Sequence, residues 1–147
     1  MTDGKAFVDT NVLLRATLAE MPLHHQAEAV VRNMRDAQTE LWISRQVIRE
    51  YLVQVTHPRT FASPLSIEEL DRQVTAIHSL FRVADETYEV TAQLMALLRT
   101  YATRGKQIHD ANIVATMLAF GIDTLLTFNL DDFRRFEDRI LIVVPPG

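Results

Sequence analysis

Acidic and amide side chains able to hold a hard cation occur at four widely separated places in this chain. Asp9 follows the apolar run Ala6-Phe7-Val8 at once, and Thr10 and Asn11 come straight after it. Glu50 lies two turns into the segment behind Leu41-Trp42-Ile43, and Asp110 immediately precedes the apolar stretch 111–120. The fourth place is Thr127-Phe128-Asn129-Leu130-Asp131-Asp132. Each has an ordinary explanation. Asp9, Asn11 or Asp110 could simply cap a helix, and Asp131 and Asp132 could be first-turn charges favoured by a helix dipole. Glu50 flanks an apolar stripe and could be solvated. Jointly the four are more specific, because gathered like charges repel unless a cation neutralises them. Hard oxygen ligands suit Mg²⁺ or Mn²⁺. One or two such ions, with positions left for a phosphate and an attacking water, suit hydrolysis of a phosphodiester.

That chemistry requires the four places to share one edge of the molecule. Ala6–Val8, 41–43, 81–84, 124–128 and 140–144 have the short apolar character of strands. Helical periodicity predicts a short helix after Asp9, opening at Val12 with Thr10 and Asn11 as capping residues. Further helices are predicted over about 24–37, 45–56, 66–80, 87–103 and 111–120, with a helical turn over 131–136. Ser44 is a good N-cap, Ser66-Ile67-Glu68-Glu69 has the form of a capping box, and Gly121 sits where a glycine stops a helix. The stretch 111–120 is apolar on nearly every side, as in a buried helix. Strands alternating with helices predict an α/β fold, a three-layer α/β/α sandwich with a mainly parallel sheet of about five strands. In such a sheet all strand carboxyl ends share an edge, and ligands bind there.

Length and composition narrow the class. The 147 residues suit one domain spanning 1–147. With 48% hydrophobic and 23% charged residues the profile is that of a soluble globular protein. No apolar run is long enough for a membrane span, and Met1-Thr2-Asp3-Gly4-Lys5 lacks the regions of a signal peptide, so a cytoplasmic location is expected. The absence of cysteine excludes disulfides, thiolate zinc sites and a cysteine nucleophile. Four scattered glycines exclude a phosphate-cradling glycine loop. A net charge of −4 argues against broad nucleic-acid binding, although a local basic surface is compatible with it.

Four segments resemble the motifs of PIN-domain ribonucleases. Phe7-Val8-Asp9-Thr10-Asn11-Val12-Leu13-Leu14 is similar to their opening motif, and Ile43-Ser44-Arg45-Gln46-Val47-Ile48-Arg49-Glu50 to the second. His109-Asp110-Ala111-Asn112-Ile113-Val114-Ala115 is similar to the third, and Leu126–Phe133 to the fourth. The resemblance covers essentially the whole chain, in order. It implies catalytic acids at Asp9, Glu50, Asp110 and Asp132, with Asp9 and Asp110 holding Mg²⁺ or Mn²⁺. Asn11, Thr127 and Asn129 would give polar support. Asn129 stands where many members carry an aspartate, which leaves one metal or two open. His109 is expected to be structural. The form most resembles toxins of the VapBC type, implying an RNA substrate, a homodimer and an antitoxin partner.

Other classes fit less well. A binding module of the same fold with a degenerate acid site remains the alternative. A phosphoacceptor domain needs an aspartate after a middle strand, where Ser44 stands. A haloacid-dehalogenase-type phosphatase opens with Asp-x-Asp, whereas this chain has Asp9-Thr10-Asn11.

Overall fold

Ala6, Phe7 and Val8 are all buried. Successive strand residues face opposite sides of a sheet, so a run buried at every position needs cover on both faces. The computed structural model, which describes residues 4–147, has that cover. Five strands, β1 (Lys5–Val8), β2 (Glu40–Ser44), β3 (Arg82–Ala84), β4 (Thr124–Leu126) and β5 (Leu141–Val143), form one sheet in the order β3-β2-β1-β4-β5. Every pairing is parallel. The helices are α1 (Thr10–Thr17), α2 (His24–Asp36), α3 (Arg45–Thr56), α4 (Ile67–Leu80), α5 (Tyr88–Thr100), α6 (Gln107–Ala119) and α7 (Leu130–Phe133). A 3₁₀ turn, Arg134–Phe136, follows α7. Helix α1 packs on α2 and α3, and α5 packs along α6. The result is the expected three-layer α/β/α sandwich.

Strand order positions the site. The chain runs outward from β1 through β2 and β3, then returns to the other side of β1 as β4 and β5. The crevice at the carboxyl ends of β1 and β4 is therefore a topological switch point, where open α/β sheets bind ligands. Phe7 lies opposite Leu125 and Val8 opposite Leu126, so Asp9 and Thr127 leave the sheet side by side. The Asp9 N–H donates to the Leu126 carbonyl at 3.0 Å, extending the ladder one step further.

Local signals fix several boundaries. Ser44 Oγ accepts from the Val47 N–H, and the Ser66–Glu69 capping box forms in both directions. Gly121 ends α6 at φ +69°, a conformation costly for any residue with a Cβ. Strand β4 ends at Leu126, two residues short of the expected 128, and three helix boundaries differ from expectation by more than one residue. Helix α1 opens at Thr10 with Asp9 as its N-cap, so Thr10 and Asn11 lie inside the helix and do not cap it. Helix α5 stops at Thr100 because Tyr101 turns extended. The Tyr101 ring packs on Phe136 and its hydroxyl donates to Asp138. Helix α6 begins at Gln107, four residues earlier than predicted, so Asp110 lies within its first turns and is not its N-cap. The reading of the first residues as leaderless falls on residues 1–3, outside those described. Among the described residues no helix is long and apolar enough to cross a membrane.

Candidate active site

Asp9 is fixed by its position as the N-cap of α1. Oδ1 accepts from the Thr10 N–H at 2.8 Å. Oδ2 accepts from the Thr127 hydroxyl at 2.8 Å and from Asn11 Nδ2 at 3.1 Å. An ionised carboxylate has about four acceptor positions, so three donors leave room for one further partner. The side chain is only 7% exposed. Burial first, and then the nearby Glu50 charge, raise its pKa to about 6 against the pull of the three hydrogen bonds. Capping and cleft roles therefore coexist in one residue.

Asn11 ties the two strand ends together. Its Nδ2 also reaches Thr127 Oγ1 at 3.3 Å, and its Oδ1 accepts from the Phe128 N–H at 3.0 Å. Thr127 is fully buried, and its hydroxyl additionally accepts from the Asn129 N–H at 3.0 Å. The Asn129 side chain stays exposed at the rim of the cleft.

Glu50 comes from α3, whose start is set by Ser44 at the end of β2. It is half-buried. Its Oε1 accepts from the Thr10 hydroxyl at 2.7 Å and its Oε2 from Gln46 Nε2 at 3.1 Å. These contacts turn it toward the cleft and away from bulk solvent.

Asp110 comes from α6 and is half-buried. Its pKa is raised to about 7, first by burial and then by the charges of Asp132, Asp9 and Glu50. Three distant parts of the sequence thus bring carboxylates within electrostatic reach of one another. A cleft of about 490 Å³ has Asp9, Asn11, Glu50, Asp110 and Asn129 in its lining. A larger apolar groove between α3 and α4, lined by Leu52, Val53, Ile67 and Leu70, contains none of these residues.

Asp131 and Asp132 part company. Asp131 is almost fully exposed and pairs with Arg134 at 3.2 Å. Asp132 does not line the cleft, yet its charge is the largest electrostatic influence on Asp110. It belongs to the outer field of the site.

The donor set is oxygen-rich and hard, which fits Mg²⁺ or Mn²⁺. Asp9 and Asp110 are both held above the usual carboxylate pKa, by burial first and then by neighbouring acids. Arg15 lines the same cleft, but its Nη1 donates to the Asn11 carbonyl at 3.0 Å and its guanidinium lies 5.3 Å from the Phe128 ring centre. Arg135 lowers the Asp110 pKa only partly and donates to the Ala102 carbonyl. Among the described residues no three acidic or histidine side chains converge closely enough to enclose an ion by themselves. That is compatible with Mg²⁺, which keeps several waters and binds one or two carboxylates directly.

Several residues in or beside the cleft had no distinctive sequence signal. Gln54 lines the cleft directly, while Gln46, Asn112 and Arg135 lie outside its lining and act through partners far away in the chain. Thr10, read as a cap, instead donates to Glu50. Of the arginines near the edge, Arg45 pairs with Asp85 and Arg49 with Glu86, leaving Arg15 as the one that lines the cleft. His109 contributes its backbone carbonyl, which accepts from Gln46, while its ring is exposed.

Comparison with known proteins agrees with this architecture. Ribonuclease VapC48 of Mycobacterium tuberculosis is 28% identical over 133 residues, covering 88% of this chain and 90% of the relative. The structure of VapBC2 from Rickettsia felis, bound to a DNA fragment from their promoter, superposes with a TM-score of 0.69. It is 17% identical and covers 95% of this chain and 98% of that one. FitAcB from Neisseria gonorrhoeae superposes at 0.68, with 20% identity and coverage of 95% and 97%. The PIN domain model matches residues 6–138, nearly the full described length, and this chain belongs to the PIN domain family.

Proposed function

We propose that the chain is a divalent-metal-dependent endoribonuclease, the toxin of a type II toxin–antitoxin pair. The observation that carries this reading is the meeting of Asp9, Glu50 and Asp110 in one cleft, with Asp9 and Asp110 both raised in pKa. Similarity to a ribonuclease of the VapC type supports RNA as the substrate. Structural neighbours from toxin–antitoxin systems support an antitoxin partner. We further propose that the 147 residues act as one domain, in the cytoplasm and as a homodimer.

In this reading Asp9 and Asp110 hold Mg²⁺ or Mn²⁺. The bound cation supplies polarisation of the phosphate and acidification of the attacking water. Glu50, held by Thr10 and Gln46, would present its carboxylate to the cleft where the cation and its water would bind. Thr127 and Asn11 hold Asp9 in one orientation, and Asp132 adds charge from outside. Arg15, at the cleft wall, is placed to contact an RNA phosphate.

The test is cleavage of RNA by purified protein in Mn²⁺, in chelator, and after Asp9→Asn. Activity in Mn²⁺ that vanishes under the other two conditions supports the reading; cleavage that survives chelation sinks it. The alternative, a binding module with a degenerate site, is motivated by Asn129 in place of an acid. No heat of Mn²⁺ binding by calorimetry, with RNA binding retained, would favour that alternative.

A further inference from the structure

Gln46 is 5% exposed and its amide is fully engaged. Nε2 donates to Glu50 Oε2 at 3.1 Å and to the His109 carbonyl at 2.9 Å, while Oε1 accepts from Asn112 Nδ2 at 2.9 Å. A carboxylate and a carbonyl can only accept, so the NH₂ end must face them and the amide has one orientation. Asn112 sends its other hydrogen to Glu86 Oε1 at 3.4 Å, an oxygen that Arg49 of α3 also approaches at 3.6 Å. The contacts form a loop from α3 across to α6 and back.

The placement of this amide relates directly to the acids. Gln46 is one helical turn before Glu50 and shares its face of α3. His109 is the residue immediately before Asp110. One side chain therefore links a carboxylate oxygen of Glu50 to the backbone that carries Asp110. Burying an amide is costly unless all its hydrogen bonds are made. An apolar side chain of similar size would fill the same space without that requirement. Packing alone thus gives no reason for a glutamine here.

We propose that Gln46, backed by Asn112, is a positioning residue that fixes Glu50 relative to Asp110 before any cation or RNA enters. The proposal rests on reading the cleft as a hydrolytic site. Glu50 is then gripped from two helices, by Thr10 on one oxygen and Gln46 on the other. Removing Gln46 leaves Glu50 with Thr10 alone and releases the start of α6 from α3. A misplacement of about 1 Å at a reacting group costs about 100-fold in rate.

The experiment compares wild type, Gln46→Met, Asn112→Ala and the double variant. It measures kcat and KM on RNA in Mn²⁺, Mn²⁺ affinity by calorimetry without RNA, and melting temperature. For Gln46→Met the expected result is a kcat lower by about 10- to 100-fold, a KM within about threefold and weaker Mn²⁺ binding, well below the melting temperature. The double variant is expected to be no slower than Gln46→Met, because Asn112 acts through Gln46. Wild-type kcat in Gln46→Met, or losses that simply multiply in the double variant, overturns the proposal. Should Gln46→Met fail to fold, Asn112→Ala decides: reduced kcat at unchanged KM supports it and unchanged kcat overturns it. A wild type that cleaves no RNA in Mn²⁺ overturns the reading of the site and this proposal with it. An active wild type with unaffected variants overturns only the positioning role.

Discussion

Thr127, just past the end of β4, donates its hydroxyl hydrogen to Oδ2 of Asp9, just past the end of β1, over 2.8 Å. The Thr127 hydroxyl oxygen in turn accepts from the Asn129 N–H and from Asn11 Nδ2, so the hydroxyl uses its full capacity. Thr127→Val keeps the shape and removes all three bonds. The expected loss is about 1–3 kcal/mol in chemical denaturation, the usual cost of buried polar groups left unpaired. Thr127→Ser keeps the hydroxyl and should retain most of the ribonuclease activity that Thr127→Val loses. Equal activity in the two variants would show that this hydroxyl does not orient Asp9.

The acids of the cleft set the pH dependence of the metal-free protein. Asp9 at about 6 and Asp110 at about 7 both lie above their ordinary value of 3.8. The folded state therefore keeps protons that the unfolded state has already released, and stability falls as pH rises from about 4 to about 7. For Asp9 alone this is on the order of 3 kcal/mol. In chelator, the melting temperature should be higher at pH 5 than at pH 8. Asp9→Asn should flatten that slope and exceed the wild type at pH 8, where added Mn²⁺ should also stabilise the wild type most. A wild-type melting temperature that climbs between pH 5 and pH 8 in chelator would contradict this.

Much of the fold was legible because its signals are local. The all-apolar run of β1 predicted a strand covered on both faces, and Ser44, Ser66–Glu69 and Gly121 marked helix ends through bonds within a few residues. The start of α6 was not legible, since Lys106 provides no side-chain cap and the helix follows a turn at Gly105. The acids themselves were found by spacing and resemblance. Their supports were not: Gln46 meets His109 and Asn112 across 63 and 66 residues, and nothing near a helical glutamine announces such partners. Asp132 was preferred to its neighbour Asp131 by resemblance alone, and it is the turn of α7 that separates their surroundings.

Arg15 should act on RNA and leave the cation alone. Its guanidinium lines the acidic cleft beside the Phe128 ring, and its buried Nε has no hydrogen-bond partner among the described residues. Arg15→Ala should raise KM for RNA about tenfold and reduce the salt dependence of RNA binding by roughly one phosphate contact. Mn²⁺ affinity without RNA should stay within about twofold, since no carboxylate bond is lost. An unchanged salt slope would remove Arg15 from the RNA path.

The two adjacent acids of α7 should behave differently. Asp132→Asn should lower the Asp110 pKa and weaken Mn²⁺ binding several-fold, because it removes the strongest charge acting on Asp110. Asp131→Asn breaks only an exposed pair with Arg134, worth little in water. Calorimetry with Mn²⁺ on both variants checks this, and equal effects would show that the two acids are interchangeable.

The central proposal is that Asp9 and Asp110 together hold a divalent cation at the switch point of the sheet. Its most direct test is anomalous diffraction from crystals soaked in Mn²⁺, for the wild type and for Asp9→Asn. The predicted result is a manganese peak in contact with the carboxylates of Asp9 and Asp110 in the wild type and none there in the variant. A peak that persists in Asp9→Asn, or a wild-type cleft without manganese at saturating Mn²⁺, would contradict it.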